Sequence, residues 1–375
     1  MASKASLKGP RRIVVKIGTN TICGKAGTPD PGFMAALAEQ VVALRAQGRE
    51  VLIVTSGAIG TGRALLGFKD RVREIRMRQA CAAVGQPRLM RAWEEAFAPH
   101  GVLVSQLLLT NHSFTNRKSF LNLRNATEAL FDLGVVPIAN ENDTVSIDEI
   151  DASFGDNDRL SALAAVKTQA DLLVILSDVA GLYTKPPGEP GAELIPVVDA
   201  ITPDVLKMAT GKSSSLVGRG GMASKLQSVR LATRAGIPVV IASGREPGVV
   251  SRLVAGESLG TRFLPQGHES GKERWLEIAK PMGRIHVDGG AAEALRGGKH
   301  LLPAGVIAVD GPFPPGAVVE ILHDKRPVAK ALTALSSRDL EAAKGLRSEA
   351  VARVLRREGP FNVTRKKNLL LLNTE

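Results

Sequence analysis

The chain has 375 residues, enough for one large and one small domain with a substantial buried core. Its two cysteines, Cys23 and Cys81, exclude a disulfide framework and a cysteine zinc site and fit a reducing compartment; six scattered histidines without His-Glu-x-x-His spacing argue against metal-dependent hydrolysis. A formal net charge of +12 suits an anionic partner, either a nucleotide or a nucleic acid, while an aromatic content of 3% argues against a protein that stacks single-stranded bases on aromatic side chains.

In chain order, residues 1–10 are polar and carry lysine without the apolar run of a signal peptide, and no stretch reaches the ~20 apolar residues of a membrane span. A cytoplasmic protein with no membrane partner is expected. From residue 12 to about 242, apolar runs alternate with amphipathic stretches, as in repeated βα units around a mostly parallel sheet. Strands are expected at 13–15, 51–54, 102–104, 135–138, 172–176 and 238–241, with helical periodicity over 33–46 and 119–133. Continuous β-branched runs suit strands covered on both faces.

Polar clusters follow these runs, and in open α/β sheets ligands gather at the carboxyl ends of the strands. Lys16-Ile17-Gly18-Thr19 places an ammonium beside backbone N–H groups that can face an anion, although a structural turn explains the same residues. Residues 56–62 form a second glycine-rich turn; neither a Walker A loop nor the dinucleotide G-x-G-x-x-G spacing is met. Asn140-Glu141-Asn142-Asp143 and Gly155-Asp156-Asn157-Asp158 gather amides and acids, which can hold a carboxylate and an ammonium, or act as ordinary turn formers. Asp156 and Asp158 also suit orienting catalytic lysines or water around Mg²⁺. Gly220-Gly221-Met222-Ala223-Ser224-Lys225 precedes a helix-forming stretch over 226–234, so Lys225 falls in a first turn, where a lysine opposes the helix dipole but assists phosphate. Two lysines converging on one phosphoryl group supply what phosphoryl transfer needs.

A polar, glycine-containing segment near 265–272 marks a boundary. Beyond it, short alternating stretches at 284–287, 306–309, 317–322 and 328–331 suggest a compact β-rich domain. Residues 275–375 hold 16 Lys or Arg and 11 Asp or Glu, making this part more basic per residue than the rest.

Taken together, several motifs resemble the glutamate 5-kinases of the amino-acid kinase family: residues 14–19, 54–59, Ala83-Val84-Gly85-Gln86, the Asn-Glu-Asn-Asp and Gly-Asp-Asn-Asp loops, 160–165, Gly181-Leu182-Tyr183-Thr184 and 220–222. The resemblance spans essentially the whole chain. It implies a three-layer α/β sandwich around a mostly parallel sheet over 10–264, a linker over 265–274 and a small β-rich PUA domain over 275–365. It also implies ATP-dependent phosphorylation of the side-chain carboxylate of L-glutamate, the first step of proline synthesis, with Mg²⁺ as cofactor, feedback inhibition by proline and a homo-oligomeric state. Lys16, Lys225 and Asp158 would serve catalysis. Ser56, Asn140, Asp143, Asp156 and Asn157 would bind glutamate. Lys16, Ser177, Asp178, Arg219, Gly220, Gly221, Met222, Ala223, Ser224 and Lys225 would hold ATP, and no protein metal site is implied.

Ser177 stands where the family commonly has Thr, and Arg219 where Thr often precedes the two glycines. The PUA resemblance rests on Gly283-Arg284-Ile285, Val287-Asp288, residues 301–306, Gly311, Phe313 and Gly316, and implies an RNA partner. Ala331 and Leu335 replace a Gly and an aromatic residue usual there. Related kinases for aspartate, N-acetylglutamate, carbamate or a nucleoside monophosphate stay open within the class. From other classes, an RNA-binding protein and an amino-acid sensor without catalysis are the alternatives.

Overall fold

The computed structural model describes residues 9–24, 27–70, 72–110, 112–115, 117–145, 156–210, 221–266, 273, 276 and 279–372. The chain divides into two compact units, 1–268 and 269–375.

The first unit runs β1 (Arg12–Ile17), α1 (Thr19–Ile22), α2 (Pro31–Ala46), β2 (Glu50–Val54), α3 (Ala58–Leu65), α4 (Ile75–Phe97), β3 (Val104–Leu109), α5 (His112–Thr115), α6 (Arg117–Asp132), β4 (Val136–Glu141), α7 (Asp156–Lys167), β5 (Leu172–Ser177), β6 (Val197–Val198), α8 (Pro203–Thr210), α9 (Met222–Arg234), β7 (Val239–Ser243), α10 (Val249–Val254) and β8 (Thr261–Phe263). Its eight strands form one sheet in the order β3-β4-β2-β1-β5-β7-β8-β6. Every pairing is parallel except β7 with β8, so the expected mostly parallel α/β architecture is found.

Local chemistry explains the element ends. The Asp30 carboxylate accepts from Gly32 N at 2.9 Å and Phe33 N at 3.2 Å, and Pro31 opens the helix, so α2 begins two residues before its apolar periodicity does. The expected strand at 102–104 lies instead at Val104–Leu109. It is the sheet's edge, its exposure alternates, and Ser105 and Gln106 interrupt the apolar run that a covered strand would show.

Strand alternation sorts the core. Ile13, Val15 and Ile17 of β1 join α2, α4 and α10 in one apolar cluster with Val51, Ile53, Val136, Ile138, Val174 and Leu176. Period-2 geometry turns Val14 and Lys16 to the other face, where α7 packs. Helices α3 and α4 touch closely because two positions lack a Cβ. One added at Gly62 would stand 1.8 Å from the Cys81 carbonyl oxygen, and one at Gly85 would stand 1.9 Å from that of Ala58.

The second unit contains β9 (Gly283–Val287), α11 (Gly289–Arg296), β10 (Val306–Asp310), β11 (Val318–His323), β12 (Arg326–Leu332), α12 (Ser337–Ala343), α13 (Ser348–Leu355) and β13 (Leu369–Leu371). The sheet order is β10-β9-β11-β12-β13, antiparallel except for β11 with β9. All four expected strand regions are present, and β13 adds a fifth. Ala331 and Leu335 are both buried in this unit's core, so the departures noted at these positions alter packing rather than surface. The basic run Arg365-Lys366-Lys367 is exposed. Among the described residues, no helix is long and apolar enough to cross a membrane.

Candidate active site

Strands β4, β2, β1 and β5 are neighbours with parallel pairing, so their carboxyl ends and the loops beyond them form one rim. Lys16, next to last in β1, is 5% exposed and faces α7. There its Nζ forms an ion pair with Oδ1 of Asp158, which is only 1% exposed. Lys225, in the first turn of α9, reaches the other oxygen, Oδ2, at 3.8 Å, and the Ser224 hydroxyl donates to Oδ2 at 2.9 Å. A single carboxylate thus anchors two buried ammonium groups that arrive from distant parts of the chain.

The electrostatics follow from this packing. Burial pushes the Asp158 carboxyl up, but the charges of Lys16 and Lys225 and the hydrogen bonds from Lys16 and Ser224 outweigh it and hold the group below its ordinary value. Burial lowers the pKa of Lys225; the repulsion of Lys16 adds to this, while Asp158 and Asp178 pull the other way. Helix α9 starts at Met222, four residues earlier than its apolar stretch. Its N-cap, Gly221, is extended and contributes no side-chain cap, so among the described residues nothing caps the first-turn amides of Met222 and Ala223, the kind of helix start that suits an anion. Beside them, Asp178 accepts from Asn20 Nδ2 at 3.0 Å and from the Ser177 hydroxyl at 3.0 Å. The hydrogen bond from Asn20 leads in lowering the Asp178 pKa; burial opposes it, and Ser177 and Lys225 assist.

A second group lies over the ends of β2 and β4. Gly57, at φ +108°, turns the chain from β2 into α3. Just before it, Ser56 accepts at its Oγ from Asn157 Nδ2 at 3.1 Å, and Asn157 Oδ1 is buried with no hydrogen-bond partner among the described residues. Asn140, 1% exposed, accepts from Glu141 N at 2.9 Å through Oδ1 and donates from Nδ2 to Gln86 Oε1 at 2.8 Å. Between these elements is a cleft lined by Ala58, Ala82, Gln86, Leu108 and residues 141–144, Asp143 among them.

The candidate residues therefore fall in three neighbouring sets: Lys16, Asp158, Ser224 and Lys225; Ser177 and Asp178; and Ser56, Asn157, Asn140 and Asp143. Asp156 opens α7, with only its backbone described, while Arg219 and Gly220 lie outside the described residues. Two participants had no role in the sequence reading. Gln86 lay within a quoted motif, and Asn20 directly follows the first cluster. Among the described residues, no group of three or more His, Cys, Asp or Glu comes together.

The amino acid kinase family model matches residues 11–243, and the PUA domain model matches residues 283–355. The chain is 44% identical over 374 residues to a glutamate 5-kinase of Geobacter sp. (strain M21), covering 98% of this chain and 100% of the relative. It is 42% identical over 370 residues to a glutamate 5-kinase of Methanosarcina mazei, covering 96% of each. The crystal structure of a UMP kinase from Bacillus anthracis aligns with 69% of this chain and 98% of its own, at 16% identity and a TM-score of 0.46.

Proposed function

The chain belongs to the amino acid kinase family, in its glutamate 5-kinase branch with a PUA domain, and from that premise we propose that it transfers the γ-phosphoryl group of ATP to the side-chain carboxylate of L-glutamate. The observation that carries this reading is the Lys16–Asp158–Lys225 arrangement at the rim of the sheet. The acceptor carboxylate is already ionised near neutrality, so no general base is needed. Charge on the phosphoryl group in transit is met by Lys16 and Lys225, whose positions Asp158 fixes before substrate arrives. The α9 amides, Ser177 and Asp178 frame the nucleotide side, with Arg219 and Gly220 assigned to the same loop. Ser56, Asn140, Asp143, Asp156 and Asn157 receive glutamate.

The donor set is compatible with Mg²⁺ carried on the nucleotide. No protein cage is assembled among the described residues, and Mg²⁺ ordinarily keeps much of its water shell and uses substrate phosphates with one or two carboxylates. Asp178 and Asp158 would bear on it, and when bound it would neutralise phosphate charge. Proline shares the α-carboxylate and amino nitrogen of glutamate but lacks the reacting carboxylate, which suits a feedback inhibitor competing for the same pocket. A homo-oligomeric, cytoplasmic enzyme and an RNA contact through the exposed basic run of the second unit complete the reading.

The test is ATP turnover with Mg²⁺ and L-glutamate, aspartate or N-acetylglutamate, trapping acyl phosphate with hydroxylamine. A glutamate-dependent hydroxamate is expected. Turnover with another acid alone would overturn the substrate.

A further inference from the structure

The hydrogen bonds around Asn140 leave one buried donor without an acceptor among the described residues. Its Oδ1 accepts from a backbone N–H, which can only donate, so the amide orientation is settled and Nδ2 must be the donor to Gln86. Gln86 therefore presents Oε1 to Asn140 and turns Nε2 away from it. That nitrogen is buried and has no hydrogen-bond partner among the described residues, in a residue only 9% exposed that lines the cleft with Glu141, Asn142 and Asp143. Buried N–H groups in folded proteins are nearly always paired, so this one calls for an acceptor from a ligand. Gly85 brings it there, because without a Cβ α4 closes on the Ala58 carbonyl at the start of α3.

Resting on the glutamate reading above, we infer that Gln86 is a substrate-binding residue whose Nε2–H donates to the α-carboxylate of the amino acid. Strand β4, which carries Asn140, lies two places from β1, which carries Lys16. At the usual strand spacing that is about 10 Å, a span suited to a five-carbon dicarboxylic amino acid with one end at the lysines and the other at Gln86. The loop from Ser56 to Ala58 connects the two ends, bonded to Asn157 on one side and lining the cleft on the other. Asp143 and Glu141 supply negative charge to the same cleft for the α-ammonium, so a donor among them completes recognition of a zwitterion.

Gln86→Glu separates this role from a structural one, since it keeps an acceptor for Asn140 and the side-chain shape while replacing the donor with a second acceptor. Loss of a charge-assisted hydrogen bond should raise the glutamate KM about 20-fold or more, with the ATP KM within twofold. Gln86→Ala should be milder, because it adds no repulsion. Gln86→Met, which fills a similar volume without a donor, reads the same split without a new charge. A Gln86→Glu enzyme within threefold of wild type in glutamate KM, or Gln86→Ala worse than Gln86→Glu with both KM values rising together, overturns the assignment. An inactive wild type with glutamate would remove the underlying reading instead, so the two failures are distinguishable.

Discussion

Asp158→Asn is the most direct probe of the paired lysines. Asparagine keeps the shape and an acceptor for Ser224 but removes the one negative charge that touches both ammonium groups, whose residues are 5% and 6% exposed. At an effective dielectric near 20, unit charges at the 3.8 Å separation of Lys225 and Asp158 interact by about 4 kcal/mol. This agrees with the ~3–5 kcal/mol typical of breaking a buried pair from one side. For a unit of this size, that lowers Tm by roughly 10 °C in the absence of nucleotide. Saturating ATP supplies negative charge to the same lysines and should close much of the gap, while kcat stays down about 10²-fold or more because the lysines are no longer held in place. Differential scanning calorimetry with and without nucleotide, alongside the hydroxamate assay, measures all three. Melting within 2 °C of wild type and kcat within threefold would refute the argument. The pH dependence has a definite sign: the Asp158 pKa is depressed on folding, so its contribution is present above the unfolded value near 4 and disappears as pH falls through the folded one.

Asn20→Ala removes the leading cause of the lowered Asp178 pKa and should raise the ATP KM about fivefold, leaving the glutamate KM unchanged in steady-state kinetics. Gly85→Ala would push a methyl group against the Ala58 carbonyl, at a cost of about 2–3 kcal/mol by urea denaturation together with a higher glutamate KM. Lys167, the last residue of α7, is 1% exposed, and burial with the nearby charge of Arg124 lowers its pKa to about 7. Between about 7 and about 10.5 the unfolded chain binds the extra proton, so wild-type stability rises with pH there. Lys167→Met should therefore stabilise the protein most below pH 7, with the difference fading above pH 10, as read from urea midpoints at several pH values.

Residues 13–15, 51–54, 172–176 and 238–241 were legible as strands because each is covered on both faces and needs an unbroken apolar run. The candidate residues were legible as polar clusters because they interrupt such runs where strands end. Strand β3 was misplaced because an edge strand lets Ser105 and Gln106 stand among its leucines, and the start of α9 was missed because Gly221, Met222 and Ala223 carry no periodic signal.

Composition and periodicity determined that this chain would form a mostly parallel α/β unit followed by a β-rich one, and where along the chain its polar clusters would lie. Tertiary structure alone decided that Asp158 would bridge Lys16 and Lys225, that Asn20 would hold Asp178, and that Gln86 would line the cleft with a buried side-chain nitrogen left unpaired among the described residues. The reason is range: burial patterns repeat over a few residues and can be read locally. An ion pair or an orphaned donor depends on segments far apart in the chain, and only packing brings those together.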